Sequence, residues 1–153
     1  MAVIGPGDAA ADELEAAEEV GRLLAEAGAV LVCGGLGGVM EAACRGAHAA
    51  AGLTLGILPG RSRRDANPFV EVAVPTGLGE ARNALVVRSA DAVVAIGGAY
   101  GTLSEIALAL KGGTPVVGLR TWELARGGQP DTGVVHAASA EEAARTALDL
   151  ARK

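Results

Sequence analysis

The chain has 153 residues, half of them hydrophobic but only 2% aromatic, with 23 glycines and a formal net charge of -5. That length suits one domain over 1–153 with its own core of Ala, Val, Leu and Ile, and glycines this numerous, with no three-residue period, exclude a helical bundle and a collagen-like chain. The acidic balance without a basic stripe excludes nucleic acid as a partner, and no apolar run approaches the roughly 18 residues of a membrane span, so no membrane partner is expected.

Short β-branched runs alternate with longer Ala/Leu-rich segments, the pattern of βαβ units around a parallel sheet. The first run, Ala2–Gly5, has neither the charge nor the length of a secretory leader. Cys33 and Cys44 are therefore expected as free thiols of a cytoplasmic protein. A helix follows over Ala10–Ala27, with Leu14, Ala17, Leu23 and Leu24 toward one side, acidic residues largely toward the other, and Gly28 as its stop.

The strand Ala29–Cys33 leads through Gly34-Gly35-Leu36-Gly37-Gly38 into a helix over Gly38–Ala51. Next come a strand Thr54–Leu58, an irregular stretch Gly60–Pro68 and a strand Val70–Val74. A helix Gly79–Ser89, a strand Ala92–Ile96, a helix Gly101–Lys111 and a strand Thr114–Leu119 continue the alternation. The chain closes with an irregular Thr121–Gly133, an edge strand Val134–His136 and a helix Ala140–Arg152, which Ser139 and Glu142 open as a capping box. The main runs are near-continuously apolar, as strands covered on both faces are. The expected fold is α/β, a Rossmann-like doubly wound, mainly parallel sheet of 6–7 strands with helices on both faces.

Two glycine clusters stand at strand-to-helix turns, where open α/β sheets bind ligands. In the first, Gly34, Gly35, Gly37 and Gly38 let backbone approach a phosphate, and the helix entered at Met40 and Glu41 offers N–H donors and the positive end of its dipole. Glu41 either receives ribose hydroxyls or complements that dipole. A third dinucleotide-type glycine and an acidic residue at the end of the next strand are missing, which disfavours NAD; the Lys-Ser/Thr pair of a P-loop is missing too, which disfavours ATP hydrolysis. The second cluster is Gly97-Gly98-Ala99-Tyr100-Gly101-Thr102, followed by Glu105. Here backbone amides and the Thr102 hydroxyl are candidate phosphate donors, and Glu105, expected on the first helical turn, is either a site carboxylate or a dipole partner.

Between the clusters, Arg82 near a helix start is electrostatically misplaced unless it meets a ligand or a carboxylate; a solvent-facing arginine is the alternative. His48 and His136 share no metal-ligand spacing, so no metal is indicated. The serines lack a nucleophile elbow, which leaves a serine hydrolase unsupported. The only lysines, Lys111 and Lys153, lie at a helix end and at the terminus, which disfavours a Schiff-base lysine.

The order Gly-Gly-x-x-Gly-Val-Met, Ile57-Leu58-Pro59, Arg82-Asn83, Asp91 and Gly-x-x-Tyr-Gly-Thr-x-x-Glu resembles the LONELY GUY superfamily, often labelled lysine-decarboxylase-like. The resemblance runs from Ala2 to about Leu119. It implies a Rossmann-like fold, a homo-oligomer (dimer or tetramer), and a nucleotide or other phosphorylated small molecule as ligand. In the phosphoribohydrolases of that superfamily, the arginine and glutamate used to split nucleoside 5′-monophosphates fall on Arg82 and Glu105. No metal or redox cofactor is needed for that reaction, and lysine decarboxylation lacks its lysine. Three positions depart from the hydrolase pattern: Asn83 replaces a lysine, Gly97 a proline and Ala99 a glycine. Gly34–Glu41, Asn67-Pro68, Thr76-Gly77-Leu78 and Ile96-Gly97-Gly98 look more like the branch of molybdenum-cofactor carrier proteins, for which a non-catalytic carrier is the alternative.

Overall fold

A computed structural model describes residues 1–152; Lys153 lies outside the described residues. In chain order the elements are β1 (Ala2–Ile4), α1 (Ala11–Glu26), β2 (Leu31–Cys33), α2 (Val39–Ala49), β3 (Thr54–Leu58) and β4 (Val72–Pro75). They continue with α3 (Asn83–Arg88), β5 (Val93–Ile96), α4 (Tyr100–Gly112), β6 (Val116–Leu119), β7 (Leu124–Arg126), β8 (Gln129–Asp131), β9 (Val134–Ala137) and α5 (Ala140–Ala151). Seven strands form one sheet in the order β4-β3-β2-β1-β5-β6-β9, with every neighbouring pair parallel. This is the doubly wound α/β architecture expected, with β9 as the edge strand anticipated near Val134.

Residues alternate between the two faces of the sheet. Val3, Leu31, Cys33, Val94, Ile96, Val117 and Leu119 face α1, α2 and α5, while Ala2, Ile4, Val32, Val93, Ala95 and Val116 face α3 and α4. With so few aromatics the layers close at short range, and the tightest approach is between helices. A Cβ on Gly21 of α1 would lie 2.0 Å from the Ala43 carbonyl oxygen, and one on Gly46 of α2 would lie 1.9 Å from that of Glu18. The Arg45 guanidinium then reaches Glu18 across the same seam at 2.7 Å.

The helix ends follow the local chemistry. Gly28, with φ of 79°, takes up the left-handed turn after α1. Ser139 Oγ accepts from the Glu142 N–H at 3.2 Å, which satisfies one first-turn donor of α5, while the Glu142 carboxylate accepts from the Ala138 N–H, just ahead of the N-cap, at 2.8 Å.

Four local expectations need correction. The helix expected over Gly79–Ser89 is a 3-10 turn at Gly79–Arg82 running into the short α3. The stretch Gly60–Pro68 holds a 3-10 turn at Arg63–Asp65. Thr121–Gly133 is not irregular: β7 and β8 pair antiparallel around Gly127 and Gly128, whose φ values of 60° and 77° suit the tight turns of two-residue hairpins. Finally, β4 is not covered on both faces. It forms the sheet edge beyond the reach of the short α3, and Val72 and Val74 are 44% and 41% exposed.

Candidate functional site

The winding order sets the position of the site. From β1 the chain steps outward through β2, β3 and β4, then returns to β5 on the other side of β1, which leaves a crevice at the carboxyl ends of β1 and β5 where the order reverses. A cavity of about 270 Å³ occupies that crevice. Gly5, Pro6 and Gly7 after β1, Leu36 and Met40 around the start of α2, Arg82 and Asn83, and Ala99, Gly101, Thr102 and Glu105 at the start of α4 all line it.

The two helix starts differ in what they leave open. At α2 the first N–H, that of Val39, is taken by the Pro6 carbonyl at 3.1 Å, and Gly38 packs so closely on the Pro6–Gly7 turn that a Cβ would lie 2.3 Å from the Pro6 oxygen. The α2 start is thereby held against the turn after β1. At α4 the N-cap is Ala99, which has no side-chain acceptor, and Gly101 has open space where a side chain would stand. The first-turn amides of α4 face the cavity uncapped, and the dipole there favours an anion.

Arg82 and Glu105 form the floor. Their side chains are 8% and 9% exposed, and Nη1 stands 3.9 Å from Oε1. Nη1 also donates to Asn83 Oδ1 at 2.7 Å. Of the readings open for Arg82, the carboxylate partner is the one found, and a solvent-facing arginine is not. Gly34 makes this possible: a Cβ there would lie 2.6 Å from Nη2, 2.7 Å from Nη1 and 2.7 Å from Met40 Sδ. Glu105 is not on the first turn of α4, which contains no acidic residue, so it is not placed to complement the dipole.

Burial pushes the Glu105 carboxyl up to about 7, and the Arg82 charge only partly offsets it. Burial also lowers the Arg82 pKa, opposed by Glu105 and Cys33. Two donors on the cavity lining, Arg82 Nε and Thr102 Oγ1, are buried without a hydrogen-bond partner in the protein. Each such group costs about 1–3 kcal/mol unless something outside the chain satisfies it. What an oxyanion in the cavity can reach is the uncapped α4 start beside them.

The other residues anticipated for the site lie around it. Gly35 packs on Leu58 and Gly56, and Gly37 is open beside Glu41. Gly38 and Glu41 line a neighbouring cavity with Asp8 and Arg45. Gly97 meets the Glu13 carboxylate and Gly98 the Trp122 indole, while Tyr100 packs tilted against Trp122, with ring centroids 5.7 Å apart and planes at 35°. The Gly5-Pro6-Gly7 turn was missed by sequence reasoning, although a Gly-Pro-Gly after the first strand of a doubly wound sheet is a usable signal. Among the described residues no group of three or more His, Cys, Asp or Glu is placed to hold a metal, and no helix is long and apolar enough to cross a membrane.

Fold and crevice thus define a Rossmann-like α/β protein with its cavity at the point where the strand order reverses. The chain belongs to the SLOG cluster4 family, which it matches over residues 1–145. An uncharacterized protein of Archaeoglobus fulgidus is 47% identical over 120 residues, 78% of this chain and 79% of that one. The molybdenum cofactor binding protein of Rippkaea orientalis superposes with a TM-score of 0.88 at 38% identity, covering 97% of this chain and 94% of that one. The molybdenum cofactor carrier protein of Chlamydomonas reinhardtii superposes with a TM-score of 0.87 at 38% identity, covering 99% and 98%. The superfamily read from the motifs, and its carrier branch, are the ones these similarities support.

Proposed function

We propose that the chain binds a phosphorylated small molecule in the crevice, as a carrier of a molybdopterin-type cofactor. The observation that carries this reading is the uncapped start of α4, whose Gly101 and Thr102 line the cavity together with the buried Arg82. A phosphate placed there accepts from the Gly101 and Thr102 amides, with the Arg82 charge behind it. Gly34 lets Arg82 lie flat, and Met40 and Leu36 form the apolar wall. Similarity over nearly the whole length to two molybdenum cofactor binding proteins supports the cargo. The test is mass spectrometry of the small molecule that co-purifies from an anaerobic preparation. Recovery of a molybdopterin-type compound supports the carrier, and failure of the purified protein to retain any phosphorylated ligand defeats it.

A second reading, hydrolysis of a nucleoside 5′-monophosphate to free base and ribose 5-phosphate, is favoured by one observation, the buried Arg82–Glu105 pair. With a pKa of about 7, Glu105 exchanges a proton near neutral pH, so it can position water or stabilise the positively charged ribose as the C1′–N bond breaks, while Arg82 holds the phosphate. Base release from monophosphates, lost in Glu105→Gln with binding kept, decides for the hydrolase.

The protein is further proposed to self-associate through the sheet edge. Val72 and Val74 pair in register with Leu55 and Ile57, so they lie on the α3 side, where Leu85 is also 40% exposed. Apolar side chains grouped at a sheet edge favour a covering partner. A cytoplasmic setting suits the free thiols of Cys33 and Cys44, whose sulfurs are 3.4 Å apart.

A further inference from the structure

We infer that Tyr100 and Trp122 form a stacking platform for a flat heteroaromatic ring, carried by the same ligand whose phosphate sits at the start of α4. The inference rests on the phosphate-binding reading above and adds the chemical class of the ligand's other end.

The chain has one tryptophan and one tyrosine, and the fold brings them together beside the crevice, whose lining residues Ala99 and Gly101 flank Tyr100. Tyr100 is 82% exposed, an unusual setting for a large aromatic in a protein that otherwise fills its core with small aliphatics. The indole is held in place from three directions. Its Nε1 donates to the Ala99 carbonyl at 3.3 Å, and Ala99 also lines the crevice. It lies flush on Gly98, where a Cβ would come within 2.8 Å of Nε1, so a side chain at that position would displace the ring. Two residues upstream, Arg120 holds a left-handed backbone with φ of 53°, and its guanidinium pairs with Asp12 of the loop-proximal turn of α1. A non-glycine residue in that region is strained, and such strain persists where the surroundings fix the segment.

Size supports the same assignment. A crevice of about 270 Å³ falls below the roughly 300–1,000 Å³ usual for sites that enclose a small ligand. A phosphate and the atoms next to it fill it, and a ring system attached to them emerges at the rim. Along Gly98 and the indole lies a second cavity of about 440 Å³, lined by Glu13, Gly98, Arg120, Thr121, Trp122 and Glu123. The emerging ring therefore meets an aromatic surface, with Glu13 and Glu123 as acceptors for ring amino or imino N–H groups. A 2-amino-4-oxo ring, shared by guanine and pterins, matches donor groups of that kind.

Trp122, as the sole tryptophan, reports on its own contacts. The intact protein is titrated with ribose 5-phosphate, guanosine 5′-monophosphate and neopterin monophosphate, by calorimetry for all three and by tryptophan emission for the first two. The expected result is binding of all three, with at least one ring-bearing ligand about tenfold tighter than ribose 5-phosphate, the size of a single ring-on-aromatic stack. Emission is quenched by guanosine 5′-monophosphate and not by ribose 5-phosphate. Tyr100→Ala and Trp122→Leu abolish that tenfold gain and leave ribose 5-phosphate affinity within about twofold, whereas Tyr100→Phe and Trp122→Phe retain it. Binding of ribose 5-phosphate with no gain from either ring, or equal weakening of all ligands in the two variants, overturns the platform and leaves the phosphate site standing. Binding of none of the three overturns both.

Discussion

The Arg82 guanidinium lies directly against the Cα of Gly34, so close that a single added methyl group would stand 2.6 Å from Nη2. One residue at the end of β2 and another before α3, far apart in sequence, therefore fix the position of the buried cation together. Gly34→Ala moves the flexible end of Arg82 rather than any backbone. We expect the fold to persist while ribose 5-phosphate affinity falls tenfold or more, about what loss of a hydrogen bond to a charged group costs. Calorimetry checks it, and unchanged affinity would show that Arg82 does not contact the phosphate.

The raised pKa of Glu105 makes stability depend on pH with a definite sign. A carboxyl that titrates at about 7 in the native state and near 4.5 when unfolded binds its proton more tightly when folded. Its contribution is greatest below about pH 4.5 and is lost as pH rises toward 7, by about 3 kcal/mol in all. Urea unfolding of wild type and Glu105→Gln at pH 5 and pH 7.5 isolates this group. The variant should gain on the wild type as pH rises, and a pH-independent difference would contradict the buried, protonatable carboxyl.

The α1–α2 seam predicts a stability effect away from the site. Gly46→Ala drives a methyl group against the Glu18 carbonyl, which is backbone and cannot swing aside. The cost is about 1–3 kcal/mol, or roughly 3–10 °C in Tm. Gly37→Ala is the control, because its nearest neighbour, a Glu41 carboxylate oxygen, lies 3.9 Å away. It should melt close to the wild type.

Self-association through β4 predicts that wild type runs at two or four times the 15.1 kDa of one chain. Val74→Asp places a charge on the exposed edge and should yield the single-chain mass by light scattering, with native circular dichroism. Retention of the larger mass in this variant would place the interface elsewhere.

The alternation of apolar runs with amphipathic segments was enough to read the doubly wound sheet, because a fully covered parallel strand leaves so plain a signature. The same signature misled at Val70–Val74, since an edge strand awaiting a partner has the composition of an internal one. The hairpin at Gly127-Gly128 was obscured by strands of three residues each, one of which contains Pro130. At the site, the glycine turns pointed to the carboxyl end of the sheet, where the cavity lies, but which glycines open toward it depends on long-range neighbours. Gly97 and Gly98 look like the phosphate loop in sequence, yet Glu13 and Trp122 occupy the space beside them, and the cavity opens at Gly101. Arg82 and Glu105 were legible as candidates from their places near helix starts and from motif order; that they meet at 3.9 Å below the surface required the fold.

The central strand is also the first of the sheet's seven in chain order. Ala2 pairs with Val32 on one side and with Val93 on the other, so a nascent chain that has left the ribosome only as far as α2 can complete one flank of β1 and must hold the other unpaired. Until β5 emerges, Gly5–Gly7 borders a raw strand edge, a surface prone to pairing with neighbouring chains. The crevice thus appears late in biogenesis, once the second half of the polypeptide has docked, and any product truncated before Val93 carries the first half of the cradle on an aggregation-prone fragment.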